Sequence, residues 1–166
     1  KRVGSLLSGF NVELLTHDPY VPDIDTELVG GSMTSLQELL ERSDVVALNA
    51  ELTDETRGLI GEEELTQMQE SAFLVNTARG PIVDEEALVD ALRSNSIAGA
   101  GLDVFATEPL RPDSVLLDFE NVVITPHTSA VTTDSRVKSI RRLTTNVTKL
   151  LAGEHLPNRY LATPSP

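Results

Sequence analysis

Apolar residues recur along this chain in two rhythms, and the alternation between them predicts the fold. Some stretches keep helical spacing. Leu36, Leu39 and Leu40 share one face of a predicted helix over 35–42, opened by an S-x-x-E capping box of Ser35 and Glu38. A short acidic-start helix follows over 62–68, and Asp84 caps another that runs through Leu92. Glu85 and Glu86 sit favourably against the positive end of that helix. Val137, Ile140, Leu143, Val147, Leu150 and Leu151 define a last helix from near Thr133, stopped by Gly153. Between these lie short apolar runs at 12–16, 45–48, 73–75, 97–102 and 122–124, which read as buried strands. Residues 1–8 read as a helix remnant, Pro19 and Pro22 force a loop, and 161–166, with two prolines, is a loose end. Strands alternating with helices predict an α/β chain with a parallel sheet.

Composition narrows the picture. The 166 residues are enough for one domain with a proper core. Hydrophobic residues make up 40% and aromatics 4%, so that core is aliphatic. The formal charge of −13 disfavours contact with nucleic-acid phosphates or anionic membranes. With no cysteine, disulfides, thiolate metal sites and cysteine nucleophiles are excluded, and no metal ligand set is expected. No apolar run approaches the roughly 18 residues needed to span a bilayer. The opening run from Lys1 to Leu7 is too short for a signal peptide. No Met begins the chain, and Lys1 is not expected to be the native start. His17 and His155 read as surface residues, and the Asn146-Val147-Thr148 sequon, lying mid-helix, as noise.

The chemistry gathers just past strand ends. Asn76-Thr77-Ala78-Arg79-Gly80-Pro81-Ile82-Val83-Asp84 follows one strand. Gly101-Leu102-Asp103-Val104-Phe105, with Glu108-Pro109 close behind, closes the next, and Thr125-Pro126-His127 the last. In an open parallel sheet the carboxyl ends of the strands line the ligand crevice. A guanidinium, a carboxylate and an imidazole gathered there can clamp a substrate carboxylate and move a proton. Taken singly, each has a bland reading: a surface arginine, a solvated glutamate, a turn histidine. Their order along the chain sets those aside.

With those motifs the chain resembles the NAD-binding domain of the D-isomer-specific 2-hydroxyacid dehydrogenase family, over nearly all its length. The resemblance implies a doubly wound parallel sheet, Rossmann-like and incomplete here. The family's G-x-G-x-x-G turn is absent, and by register its last glycine falls immediately before Lys1. The expectation is a C-terminal portion of a longer chain: residues 1–153 a partial NAD-binding domain, 154–166 a tail returning toward a substrate domain. The first strand, central in the doubly wound order, is expected upstream, and the 166 residues alone are not expected to fold or bind NAD.

The same resemblance assigns roles. Arg79 binds the substrate carboxylate and helps polarise its C2 carbonyl; His127 exchanges the proton; Glu108 fixes the tautomer of His127. Asp18, about 20 residues past the fingerprint, accepts bonds from the ribose hydroxyls, and with Pro19 and Tyr20 following, NAD is preferred over NADP. Asp103 bonds the nicotinamide amide, and the backbone of Thr77, Ala78 and Arg79 lines the nicotinamide ribose. The loop from Asn49 and Ala50 runs along the cofactor, braced by Thr53 and Thr56. Residues His127 to Ala130, including Ser129, close over the ring. The implied enzyme is a cytoplasmic homodimer interconverting 2-hydroxy and 2-keto acids.

Two rivals share the fold: a dinucleotide-sensing corepressor, and a formate dehydrogenase relative, which would carry Gln in place of Glu108. Three departures stand out. Asn49-Ala50-Glu51-Leu52-Thr53 replaces the usual H-x-P-L-T, Ser129-Ala130 stands where a glycine is frequent, and Asn11 occupies another common glycine position. The acid itself stays open among glycerate, lactate, phosphoglycerate and branched species.

Overall fold

The computed structural model describes residues 2–7, 9–21 and 30–156. The expectations at Lys1, Ser8, Pro22 and the 161–166 tail lie outside them. The chain divides into two compact units, Lys1–His127 and Thr128–Pro166.

In the first unit, α1 (Arg2–Leu7) precedes β1 (Leu14–Thr16). Then come β2 (Gly31–Met33), α2 (Leu36–Arg42), β3 (Val45–Leu48), α3 (Glu62–Gln67), β4 (Phe73–Asn76), α4 (Glu85–Ser94), β5 (Gly99–Leu102) and β6 (Val122–Ile124). All pairings are parallel. The strands form two sheets, β1-β2 and β3-β4-β5-β6, and among the described residues no strand joins β1 to β3. The doubly wound order is interrupted at its middle.

The helices form where their caps allow. Ser35 Oγ accepts the Glu38 N–H at 3.1 Å, opening α2. The capping box is only half made, because the Glu38 carboxylate takes the Thr34 hydroxyl and the Arg42 guanidinium instead of returning to Ser35. Asp84 caps α4 by accepting from the N–H groups of Glu86 and Ala87, and Asn95 ends it in the left-handed conformation at φ 55°. Helix α4 therefore runs two residues beyond Leu92. Strand β2 was not expected: Gly31-Ser32-Met33 carries no apolar run, and pairing with β1 makes it extended.

Leu40, Leu65, Leu88 and Leu92 from the helices pack with Val46, Leu48, Leu74, Ala100 and Leu102 in one aliphatic core. Register explains the choice. Val46, Leu74, Ala100 and Val122 stand in one row across the sheet, and Leu48, Asn76, Leu102 and Ile124 in another, both toward the core. The alternate positions face the other way: Val45 and Phe73 are exposed, and Val123 is 70% exposed. The runs at 45–48, 73–75 and 122–124, expected as buried strands, are thus covered on one face only.

The second unit holds α5 (Thr133–Leu151), opened by a reciprocal capping box between Thr132 and Ser135. Its expected apolar stripe is present but exposed, from Val137 to Leu151. Gly153 follows at φ 75°, a conformation that favours glycine. No helix among the described residues is long and apolar enough to cross a membrane.

Candidate active site

The carboxyl end of β4 turns sharply, and Asn76 makes the turn. Its side chain, 1% exposed, accepts the Ala78 N–H at 3.0 Å and donates to the Arg79 carbonyl at 3.0 Å. Beyond Arg79 a 3₁₀ turn, Gly80–Ile82, is pinned by backbone bonds from Gly58 to Pro81 and from Ile60 to Ile82. Gly80 has no room for a side chain. A Cβ there would lie 1.9 Å from the Phe105 carbonyl carbon and oxygen. The Arg79 turn therefore lies directly against the segment after β5.

That segment is tied down in turn. The Asp103 N–H donates to the Asn76 carbonyl at 3.0 Å, continuing the sheet past β5. The Ala106 N–H donates to Glu85 Oε2 at 3.0 Å, and the Phe105 N–H to Glu108 Oε1 at 3.1 Å. Glu85 thus performs two tasks, an acid in the first turn of α4 and an anchor for the loop that carries Glu108. The Glu108–Pro109 peptide is cis.

Past β6, Thr125 Oγ1 donates to Asp103 Oδ1 at 2.5 Å, with Asp103 only 2% exposed. His127 hangs from the same residue: its N–H donates to the Asp103 carbonyl at 2.9 Å, and its φ is +53°. Left-handed backbone is uncommon outside glycine, and a residue held there marks an over-determined position.

These anchors bring two of the three polar groups into contact and lay the Arg79 turn against the segment that leads to one of them. His127 Nδ1 lies 2.8 Å from Glu108 Oε2. An ionised carboxylate only accepts, so Nδ1 carries the hydrogen and Nε2 is left for chemistry. The Glu108 carboxyl is lowered from its ordinary value, first by the His127 hydrogen bond and next by the Phe105 N–H, with the charges of His127 and Arg79 adding. Arg79 is therefore within electrostatic reach of the pair. Its guanidinium is exposed and donates to the Ala78 carbonyl at 2.6 Å, a contact a carboxylate ligand can replace.

The remaining predicted residues occupy other strand ends. Asp18, beyond β1, is half-buried, and its Oδ1 accepts the Tyr20 N–H at 2.9 Å. The Tyr20 hydroxyl donates to Glu55. Asn49 and Ala50 follow β3, exposed and half-buried respectively. Thr56 Oγ1 accepts the Thr53 N–H at 2.8 Å and donates to the Glu51 carbonyl at 2.6 Å, bracing that loop. Thr77 is exposed and Ala78 half-buried, beside Arg79. Ser129 and Ala130 are exposed in the second unit. His17 and His155 are exposed, as expected. The sequence alone assigns no role to Asn76 or Thr125, and to Glu85 only that of an acid at a helix start. An asparagine at a buried parity of a strand end was the signal for the first.

A groove of about 560 Å³ opens elsewhere, between α4 and the loop over 107–116. Its arginines are already paired, Arg93 with Asp90 at 3.2 Å and Arg111 with Asp113 at 2.8 Å, so neither guanidinium is left over for a ligand. No group of three metal-ligating side chains occurs among the described residues.

The donor set suits a dinucleotide. Acceptors stand at the ends of β1 and β5, a turn that begins with the small residues Thr77 and Ala78 follows β4, and Glu108 lies beyond β5 with its partner His127 beyond β6. Residues 1–129 match the family described as "D-isomer specific 2-hydroxyacid dehydrogenase, NAD binding domain". A glyoxylate reductase of Thermofilum pendens is 45% identical over 152 residues, covering 91% of this chain and 45% of that protein. A D-3-phosphoglycerate dehydrogenase of Mycobacterium leprae is 38% identical over 161 residues, 95% of this chain and 30% of that one. Among solved structures, the NAD complex of a D-isomer specific 2-hydroxyacid dehydrogenase from Lactobacillus delbrueckii ssp. bulgaricus superposes with a TM-score of 0.83 at 29% identity. That match covers 93% of this chain and 50% of the other. The chain thus spans half or less of the length of these relatives. On its motifs, its parallel sheet and these likenesses together, it belongs to the D-isomer-specific 2-hydroxyacid dehydrogenase family, matching its NAD-binding domain.

Proposed function

We propose that the protein containing this chain is an NAD-dependent oxidoreductase that interconverts 2-keto and 2-hydroxy acids. The observation that carries the reading is the 2.8 Å contact between His127 and Glu108, with the turn that bears Arg79 packed against the segment that leads to Glu108. Arg79 holds the substrate carboxylate through its planar fork and fixes the C2 carbonyl in place. The bound nicotinamide supplies the hydride in reduction. His127 Nε2 donates a proton to the developing alkoxide oxygen and takes it back in oxidation. Glu108 holds the ring in the tautomer with hydrogen on Nδ1 and stabilises the imidazolium. In the cofactor's path Asp18 accepts from the ribose hydroxyls, and Asp103 meets the nicotinamide amide. Asn49, Ala50, Thr77 and Ala78 line its length, and Ser129 and Ala130 close over the ring.

The interruption between β1 and β3 supports a domain completed by a strand from outside residues 1–166. In that arrangement residues 1–153 form a partial NAD-binding domain and 154–166 lead toward a substrate domain. The complete enzyme is read as a cytoplasmic homodimer acting on a small acid, with no nucleic-acid or membrane partner. The test is NADH oxidation by the full-length protein with glyoxylate, hydroxypyruvate, pyruvate and longer 2-keto acids, beside NAD reduction by formate. Turnover of at least one keto acid, abolished or sharply weakened by Arg79→Ala, is the expected result. Turnover of formate alone, or of nothing, overturns the reading.

A further inference from the structure

We propose that Asn76 is a positioning residue that sets the substrate-carboxylate clamp by holding the Arg79 backbone; this rests on the function proposed above for Arg79. Asn76 and Asp103 are the buried polar side chains among the described residues. Asn76 stands in a row of the sheet whose other members are Leu48, Leu102 and Ile124. A polar side chain in such a row is retained only if its hydrogen bonds are made.

Both ends of the amide are used, and only an amide of this length can use them. The oxygen takes the Ala78 N–H and the nitrogen gives to the Arg79 carbonyl, each at 3.0 Å. Aspartate can accept but cannot donate, and serine falls short of one partner. The bond to the Arg79 carbonyl matters because glycine follows. Gly80 must stay without a side chain to clear Phe105, so no Cβ restrains the peptide between Arg79 and Gly80. The longer 3.3 Å bond from the Ile82 N–H to the same carbonyl is the other restraint. Asn76 also reaches the proton-transfer side. Its own carbonyl accepts the Asp103 N–H, and the Asp103 carbonyl accepts the His127 N–H. One buried residue therefore holds the clamp through its side chain and, through its carbonyl, the Asp103 backbone from which His127 hangs.

The test is a double-mutant cycle in the full-length protein: wild type, Asn76→Asp, Arg79→Ala and the pair, each assayed below its melting temperature. The readouts are KM and kcat for glyoxylate, the Kd of oxamate as an unreactive carboxylate probe, and the Kd of NADH. Asn76→Asp is expected to raise the glyoxylate KM and the oxamate Kd about tenfold, the worth of one or two hydrogen bonds. NADH affinity should change by less than about threefold. In the Arg79→Ala background the same change should have almost no further effect, because the group it positions is gone. If Asn76→Asp does not accumulate as folded protein, Asn76→Ser takes its place in the cycle. A fall in melting temperature with unchanged KM and oxamate Kd, or an effect that persists in full without Arg79, overturns the proposal while leaving the function of Arg79 intact. An Arg79→Ala protein with wild-type KM overturns that function, and the positioning role with it.

Discussion

The carbonyl of Asp103 accepts the backbone N–H of His127 at 2.9 Å, where His127 adopts φ +53°. The main chain, more than the ring, fixes where the imidazole starts. Asparagine tolerates this conformation better than most residues. His127→Asn should therefore fold with a melting temperature close to wild type and lose about 10²- to 10⁴-fold in kcat, the usual contribution of a positioned acid–base group. Thermal scanning beside steady-state kinetics checks both halves. A large drop in melting temperature with kcat retained would point to a structural histidine.

Glu108 gives a pH dependence with a definite sign. Its carboxyl is lowered, chiefly by His127 and the Phe105 N–H. A carboxylate lowered in the folded state contributes stability that is present above its ordinary value, near 4.5, and lost as pH falls through the lowered one. Glu108→Gln should be less stable than wild type at pH 7, and the gap should close below the lowered value. Both partners are partly exposed, so the gap is small. Melting curves of the two proteins from pH 8 to pH 3 measure it; a gap that widens in acid contradicts the sign.

Gly80 should tolerate no side chain. A Cβ would meet the backbone of Phe105 at 1.9 Å, and backbone cannot swing aside as a flexible side chain can. Gly80→Ala is expected to cost about 1–3 kcal/mol as an overpacked contact and to push the Arg79 turn off the Glu108 loop. Denaturant unfolding gives the first, and a raised keto-acid KM the second. Wild-type values for both would show that the two loops can part freely.

Thr125 supports the buried Asp103 carboxylate through a 2.5 Å hydrogen bond. Thr125→Val keeps the shape and removes the donor, taking one hydrogen bond from a buried carboxylate at a cost of about 1–3 kcal/mol. Equilibrium unfolding of the variant reads this directly. No change in stability would mean that Asp103 is satisfied without Thr125.

The sequence showed much of this plainly and hid the rest for physical reasons. Apolar runs at 45–48, 73–75 and 122–124 marked the strands, and Asp84 marked the start of α4, because burial period and capping are local. Strand β2 carried no such mark, since Gly31-Ser32-Met33 becomes extended only by pairing with β1. One-sided burial was equally hidden: Val45 and Phe73 are as apolar as their buried neighbours, and only register separates them. The motifs pointed to Arg79, Glu108 and His127. What positions them did not show, because Glu85 meets Ala106 and Gly80 meets Phe105 across loops whose approach is set by the fold. The half-made capping box at Ser35 has the same cause, a Glu38 drawn away by Thr34 and Arg42.

Arg79 is the group whose role decides the account, and substrate discrimination tests it most directly. The full-length protein should reduce whichever 2-keto acid it turns over best far more efficiently than the corresponding aldehyde, which has the carbonyl but lacks the carboxylate. The kcat/KM ratio is expected to be about 10²-fold or more, the worth of one charge-assisted bidentate contact. In Arg79→Ala that ratio should collapse toward unity through loss on the acid alone. A ratio that survives the substitution would place the carboxylate clamp elsewhere and contradict the account.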